Sequence, residues 1–407
     1  MMKQRSDYTF KYNKQQGRHG WLRLTPAYSI KLVKEILNPD GFFGDKNHEL
    51  AILDPFCGTT TTGIVAAEYG FNCSLYDINP FLVWFGTIKS SNFNENVLDE
   101  MFRITSKGLT NIILTHDDVW IPPMRNIDRW WSSSTLLALG NLRQYISETW
   151  GEPSMKGEQN LIWIAFARLV IDCSAADFNH ISVSFKEETQ NFSGEIFKTM
   201  FLERLSMIVN SAKNKLKGKV NIYLSDSRFL NVPEKYDLVI TSPPYPNRIS
   251  YIRELRPYMY WLKFLSTGEE AGELDWKAIG GTWGSATSKL HSWEQINPVL
   301  PDRLISTCEK IEQGDEKNGQ TMALYVKKFF DDMFLHLSSL RNHLNHNASI
   351  NYILGNSSFY GNYVETDLII EEMLQSLGYN DIKSTIIRKR NSKSNLFEYN
   401  ITARWSS

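Results

Sequence analysis

The sequence predicts an α/β fold: a Rossmann-like, mostly parallel sheet with an antiparallel hairpin at one edge and a mainly helical insertion. Three observations carry this. Short apolar runs recur along the chain, most of them closing on a polar or acidic residue, as strands buried on both faces do. Segments of helical periodicity separate them. The last two runs lie too close together for a crossover helix and read as a hairpin at the sheet edge.

In chain order, Tyr28 to Leu37 reads as an amphipathic helix with Ile30, Val33, Ile36 and Leu37 on one face. Strands are expected at Ala51 to Asp54, Cys73 to Asp77, Val220 to Asp226, Tyr236 to Ile240 and Ser349 to Leu354. Thr62 to Tyr69 is a helix behind the first strand. Val326 to Leu344 precedes the fifth, and Thr366 to Leu377 follows it, with Gly378 as its stop. Ser384 to Arg388 and Glu398 to Trp405 form the hairpin, with Asn391, Ser392 and Asn395 between them. Residues 87–219 are far too long for one crossover. Their helical periodicity (Leu161 to Val170, Ile196 to Val209) marks a helical insertion, and Trp120, Trp130, Trp131, Trp150 and Trp163 read as its core. Residues 266–320, rich in Gly and Ser, read as an irregular region. There Trp283, flanked by glycines, is either a wedge or stacking platform for a partner or an anchor of the loop. Residues 1–86 and 220–407 then make up the α/β unit itself.

Composition bounds the function classes. The 407 residues are 42% hydrophobic and 22% charged, with mean hydropathy −0.33, as in a globular protein. No apolar run approaches the ~18 residues of a membrane span, and no signal peptide is visible at the N-terminus. Cys57, Cys73, Cys173 and Cys308 are scattered, without metal-ligand spacing. A reduced, cytoplasmic protein with no bound metal is expected. The net charge of −1 does not announce a nucleic-acid partner, so any such binding needs local basic patches. Lys213, Lys215, Lys217 and Lys219 read as solvated surface. Lys383, Arg388, Lys389, Arg390 and Lys393 lie at a strand end, where functional loops gather.

Two stretches carry chemistry. Asp54-Pro55-Phe56-Cys57-Gly58-Thr59 follows the first strand and opens a helix, so a Gly turn and free N–H groups face a ligand. Asp77 closes the second strand, where an acid can bond ribose hydroxyls, and Asp226 follows the third on the same rim. Neither a dinucleotide fingerprint nor a phosphate loop is present, so an adenosine ligand without phosphate fits. Thr241-Ser242-Pro243-Pro244-Tyr245 ends the fourth strand. Two prolines stiffen this loop and remove two donors, leaving carbonyls, a hydroxyl and an aromatic face. Such a loop can stack a flat ring and accept hydrogen bonds from an exocyclic amino group.

Together these motifs resemble the S-adenosylmethionine-dependent amino-methyltransferases of DNA, over roughly 11–86, 220–265 and 320–405. The resemblance implies a cofactor loop at Asp54, Phe56, Cys57, Gly58 and Thr59. It also implies a ribose-binding acid at Asp77 beside Ile78, and an adenine-edge residue at Asp226. Gly17 to Leu37, with Thr25 ahead of its helix, resembles the segment that closes over the methionine end. Ser242, Pro243, Pro244 and Tyr245 match the catalytic motif, and Gly355-Asn356-Ser357 and Arg388 to Asn400 resemble later motifs. His180 lies in a His/Ser-rich stretch like that of related enzymes. Asn247 and Arg248, just past the catalytic loop, are candidate contacts to the target base or its phosphate. Thr60 stands where the family carries a second Gly; a β-branched residue rarely adopts φ > 0, so the turn is expected to differ there.

Ser242 at the first motif position resembles enzymes acting on N4 of cytosine. The expected activity is therefore a site-specific N4-cytosine methyltransferase of double-stranded DNA, within a restriction–modification or other defence system and partnered by a cognate endonuclease. The same fold acting on N6 of adenine, on an RNA base, or as a non-catalytic nucleic-acid-binding module are the competing readings. Glu95-Asn96-Val97 resembles part of a carbon-5 signature, but no cysteine follows a proline to serve as its nucleophile. Only two residues follow Trp405, so DNA recognition is expected from 87–219, from 266–320, or from both.

Overall fold

The computed structural model describes residues 5–24, 27–38, 50–177, 184–232, 234–281, 285–390 and 395–406, with the side chains of 285 and 286 excepted. Its centre is a seven-stranded sheet. In chain order the strands are β1 (Ile52–Asp54), β2 (Cys73–Asp77), β3 (Val220–Leu224), β4 (Tyr236–Thr241), β5 (Leu344–Gly355), β6 (Asn380–Lys389) and β7 (Phe397–Trp405). They lie side by side as β3-β2-β1-β4-β5-β7-β6. The first five are parallel, and β7 enters antiparallel between β5 and β6. The fold is thus the mostly parallel α/β sheet with an antiparallel edge that the apolar runs foretell. Strand order reverses between β1 and β4, and a crevice opens at their carboxyl ends.

The helices follow from local signals. Ser29 caps α1 (Ile30–Ile36). Helix α2 (Thr61–Glu68) starts from the turn behind β1, and nearly all of it is buried. After β2, the Asn79 side chain accepts from Phe81 N, and Pro80 opens α3 (Pro80–Lys89). The long interval before β3 carries α4 (Glu95–Thr110), α5 (Ser133–Trp150), α6 (Asn160–Asp172) and α7 (Gly194–Ala212). Helix α8 (Tyr251–Trp261) follows β4, and the region expected to be irregular contains α9 (Gly268–Lys277) and α10 (Asp302–Gln313). The glycine-rich stretch at 280–284 drew attention away from both. Yet Leu304, Cys308 and Ile311 keep helical spacing on the buried face of α10, and a Thr267/Glu270 capping box opens α9. Helix α11 (Gly319–Leu340) precedes β5, and α12 (Thr366–Ser376) joins β5 to β6.

The helical insertion shares one apolar core with the sheet-bearing unit. Almost every side chain of α6 is buried, and its core runs into Phe81, Trp84 and Phe85 of α3 and Tyr258 and Trp261 of α8. Trp131 and Trp163 are fully buried in it, whereas Trp120 is 39% exposed. One buried guanidinium fastens the join. Arg18 Nη1 donates to the carbonyls of Lys89 and Ser91, and Nη2 to those of Ala212 and Asn214. These are the unsatisfied carboxyl ends of α3 and α7. No helix among the described residues is long and apolar enough to cross a membrane.

Candidate active site

The turn behind β1 is held from beneath by a buried carboxylate. Asp54 Oδ1 accepts from Phe56 N at 3.1 Å and from the Thr241 hydroxyl at 2.6 Å, while Oδ2 accepts from the Tyr28 hydroxyl at 3.3 Å. Burial raises its pKa, and these hydrogen bonds pull the other way. Asp54 therefore locks the end of β1 to the end of β4, and it stands below the crevice instead of lining it. The Tyr28 hydroxyl also meets that of Thr62, which donates to Ile240 O at 3.1 Å, so three elements converge here.

Above this brace a cleft opens over the carboxyl ends of β1, β2 and β4. Phe56, Cys57, Gly58, Thr59, Asp77, Ile78, Asp226, Ser242 and Pro244 all face it, together with the apolar side chains Leu82, Leu255 and Ile279. Thr25 lies outside the described residues. Asp77 Oδ2 accepts from Gly58 N at 2.9 Å and Oδ1 from Asn79 N at 2.9 Å. Burial nevertheless pushes its pKa up to about 6. Each oxygen keeps lone-pair capacity toward the cleft, which suits a ligand hydroxyl pair. Apolar walls with Asp77 and Asp226 at the rim fit the adenosine half of S-adenosylmethionine. Asp226 is more committed: Arg228 Nε and Nη2 clasp it at 3.0 and 2.6 Å, and Arg228 Nη1 reaches Asp332 at 2.8 Å.

Thr60 does not avoid the left-handed region as expected. It adopts φ 67° and ψ 31°, with its side chain fully buried and its hydroxyl without a hydrogen-bond partner. The loop therefore keeps the backbone course that a glycine would give and takes up the strain. Room is made by Gly86 of α3, where a Cβ would stand 2.6 Å from Thr60 Oγ1. Behind the same loop, buried Lys89 donates to Thr59 O at 2.5 Å, and burial lowers its pKa to about 7.

A second, more polar cleft adjoins the first; Ala27, Tyr28 and Tyr251 line both. Tyr245, Asn247, Arg388, Arg390 and Glu398 face it. Ser242, on the wall of the first cleft, links the two. Its hydroxyl donates to Ile353 O of β5 at 3.0 Å and stands 3.5 Å from the Tyr245 hydroxyl. Tyr245 donates to Glu398 Oε1 at 2.8 Å, and the Arg390 guanidinium lies 5.0 Å from its ring centre. Pro243 is buried and lines neither cleft.

Asn247 Oδ1 accepts from Ile249 N at 3.3 Å, a local turn that leaves the residue at the cleft wall. Arg248 takes φ 57° and donates its backbone N–H to the Tyr325 hydroxyl; it lines neither cleft. His180 lies outside the described residues, as do Trp283, Asn391 and Ser392. Glu95, Asn96 and Val97 form the exposed first turn of α4. Sequence reasoning gave no individual role to Glu398, Arg390, Tyr251 or Lys89. The first two sit in the Arg388 to Asn400 stretch singled out above, whereas nothing local marks Tyr251 or Lys89. No group of three or more His, Cys, Asp or Glu among the described residues is placed to hold a metal ion.

No family model matches the chain. It is 22% identical to the Type II methyltransferase M.BsoBI of Geobacillus stearothermophilus, an alignment covering 95% of this chain and 83% of that protein. It is 19% identical to the Type II methyltransferase M.AvaI of Nostoc sp. (strain PCC 7120) and to that of Anabaena variabilis, covering 93% of this chain and 82% of each. Among solved structures, the rRNA methyltransferase aviRa from Streptomyces viridochromogenes aligns over 94% of this chain and 86% of its own. At a TM-score of 0.29 and 11% identity, that superposition is too slight to bear on fold or function. Over more than nine-tenths of its length, the chain is similar to Type II methyltransferases.

Proposed function

We propose that the protein is an S-adenosylmethionine-dependent DNA methyltransferase that modifies the exocyclic amino group of a base extruded from the duplex, and that this group is N4 of cytosine. The observation that carries the reading is the placement of Ser242 between an apolar, acid-rimmed cleft and a polar, cation-rimmed one. The similarity to Type II methyltransferases supports DNA as the substrate. The cytosine assignment rests on Ser242 at the first position of the motif.

The donor, when bound, supplies an electrophilic methyl group on sulfur. Asp77 holds its ribose; Phe56, Ile78 and Ile279 pack its adenine; the Cys57–Thr59 backbone approaches its amino-acid end. Tyr245 presents its ring to the flipped base. The Ser242 hydroxyl has spent its proton on Ile353 O, so its lone pairs accept an amino N–H and orient the nitrogen toward the first cleft. Orientation supplies most of the acceleration. The nitrogen takes the methyl as the methyl–sulfur bond breaks, the electron pair staying on sulfur, and afterwards loses one proton to water, no side chain of the motif serving as base. Residues 1–86 and 220–407 form the catalytic domain, while 87–219 and 266–320 carry DNA recognition. Asn247 at the cleft wall, with Arg248 and His180, contacts the target nucleotide. A cognate restriction endonuclease and a cytoplasmic setting follow from the same reading.

One assay tests it. Labelled S-adenosylmethionine is incubated with mixed-sequence DNA, and in parallel RNA, and the digested nucleosides are identified. Label in N4-methylcytosine is expected. Label in N6-methyladenine would keep the enzyme class and overturn the cytosine assignment. Label only in RNA would overturn the DNA substrate, and no label with no cofactor binding by calorimetry would leave a binding module.

A further inference from the structure

Tyr245, Ser242 and Glu398 form a closed account of hydroxyl protons, and the catalytic motif alone does not explain it. Ser242 sends its proton to Ile353 O at 3.0 Å. Tyr245, only 3.5 Å away, has one proton too. Given nothing better, a phenol at that range turns to the serine oxygen and fills the lone pair that the target amino group needs. It has something better: Glu398 Oε1 accepts it at 2.8 Å, a charge-assisted bond.

Glu398 is built to stay there. It is 5% exposed and held by Arg388, whose Nε reaches Oε2 at 2.7 Å and Nη2 reaches Oε1 at 3.2 Å. The register of the edge hairpin puts it opposite Arg388 on β6 and opposite Gly355 on β5. Gly355 matters in turn, because a Cβ there would stand 2.9 Å from Tyr245 Cδ2 and would also strike the Arg390 guanidinium. The late Gly355-Asn356 motif therefore clears space for the Tyr245 ring. Arg390 bonds Asn356 O at 2.7 Å while it covers that ring.

We propose that Glu398 is a positioning residue for methyl transfer: by holding the Tyr245 proton it keeps Ser242 an open acceptor for the target amino group. This rests on the reading of Ser242 given above. Its action runs through Tyr245, so its effect depends on Tyr245 having a proton to misplace.

The test is a double-mutant cycle with Glu398→Gln and Tyr245→Phe. Initial rates of methyl transfer from labelled S-adenosylmethionine to a mixture of phage and plasmid DNA are compared across the four proteins. Glu398→Gln is expected to lower kcat about tenfold, the scale of one hydrogen bond gained or lost. KM for DNA and the calorimetric Kd for S-adenosylhomocysteine should stay within about twofold. In the Tyr245→Phe background, whatever that change costs by itself, the same substitution should lower kcat less than about twofold. Thermal unfolding gives a readout free of activity: the Tm loss from Glu398→Gln should shrink when residue 245 is Phe. Glu398→Asp, which keeps the charge but draws it back from the phenol, should repeat the pattern if the Gln variant folds poorly. Equal losses in both backgrounds, or full rate in Glu398→Gln, would overturn the role while leaving the methyltransferase reading intact. A wild-type protein that labels no nucleic acid would remove that reading, and this inference with it.

Discussion

The apolar cleft over Asp77 takes its polar groups from the turns at the ends of β1, β2, β3 and β4, with helix side chains such as Leu82 and Leu255 as walls. The polar cleft at Tyr245 is instead gathered from the first residues of the chain, the loop behind β4 and the hairpin near its end. The first is braced from below by Asp54, whose partners close a small buried knot. The second depends on the register of β5, β6 and β7, which sets Ile353, Gly355, Arg388 and Glu398 around one tyrosine. On the proposed reading this makes donor binding and base positioning separable, because among the strand ends only that of β4 lines both clefts.

The largest effect should come from the residue at the junction. Ser242→Ala removes the acceptor and is expected to lower kcat about 100-fold, the scale of a lost near-attack alignment. Calorimetric binding of S-adenosylhomocysteine should stay within about twofold. A comparable loss of cofactor binding would mean that the two clefts act as one. Asp77→Ala should do the reverse: an affinity about 30- to 100-fold weaker, from the loss of charge-assisted hydrogen bonds, with kcat at saturating cofactor nearly kept.

Asp77 also gives the apolar cleft a pH dependence. Burial raises its pKa to about 6 in the free protein, so the carboxylate is ionised above that value and protonated below it. A raised carboxyl pKa means that its contribution to folding is most favourable in acid and is lost as pH rises through about 6. On the proposed reading cofactor binding has the opposite sign, because ribose hydroxyls would donate to the anion. Affinity should be flat above about pH 7 and fall about tenfold by pH 5. Titration calorimetry across that range checks it, and Asp77→Asn should flatten the curve. A profile unchanged in Asp77→Asn would assign the titration to another group.

How much could be read in advance follows the same division. The strand ends, the Asp54 turn, Asp77 and the Ser242 loop were legible because each is a local pattern: an apolar run, then a polar turn. Asp54 itself was legible as a residue but not as a brace. Its partners Tyr28, Thr62 and Thr241 lie on three other segments, and only folding brings them within hydrogen-bond range. Glu398 and Arg390 escaped individual assignment for a related reason. A charge near the end of a strand says nothing of which ring it will meet until the antiparallel register is set. The helices at 268–277 and 302–313 were hidden by the glycine-rich stretch between them, although the periodicity of α10 was present.

Thr60 offers the finest probe of the apolar cleft, because it asks whether the turn's backbone or its side chain matters. Its left-handed conformation and unpartnered hydroxyl are tolerated only because Gly86 leaves room. Gly86→Ala would bring a methyl to 2.6 Å from Thr60 Oγ1 and 2.7 Å from Ile222 Cδ1. The end of Ile222 can turn aside, but the threonine is held by its own backbone. The expected cost is about 1 kcal/mol of stability, at the low end for overpacking. Adding Thr60→Gly should recover part of that cost by removing the obstructing group together with the backbone strain. Chemical denaturation of the single and double variants measures this. If Gly86→Ala costs nothing, or if Thr60→Gly makes it worse, the turn is not limited by this contact. The cofactor loop then has slack that the fixed positions of Asp77 and Gly58 do not suggest.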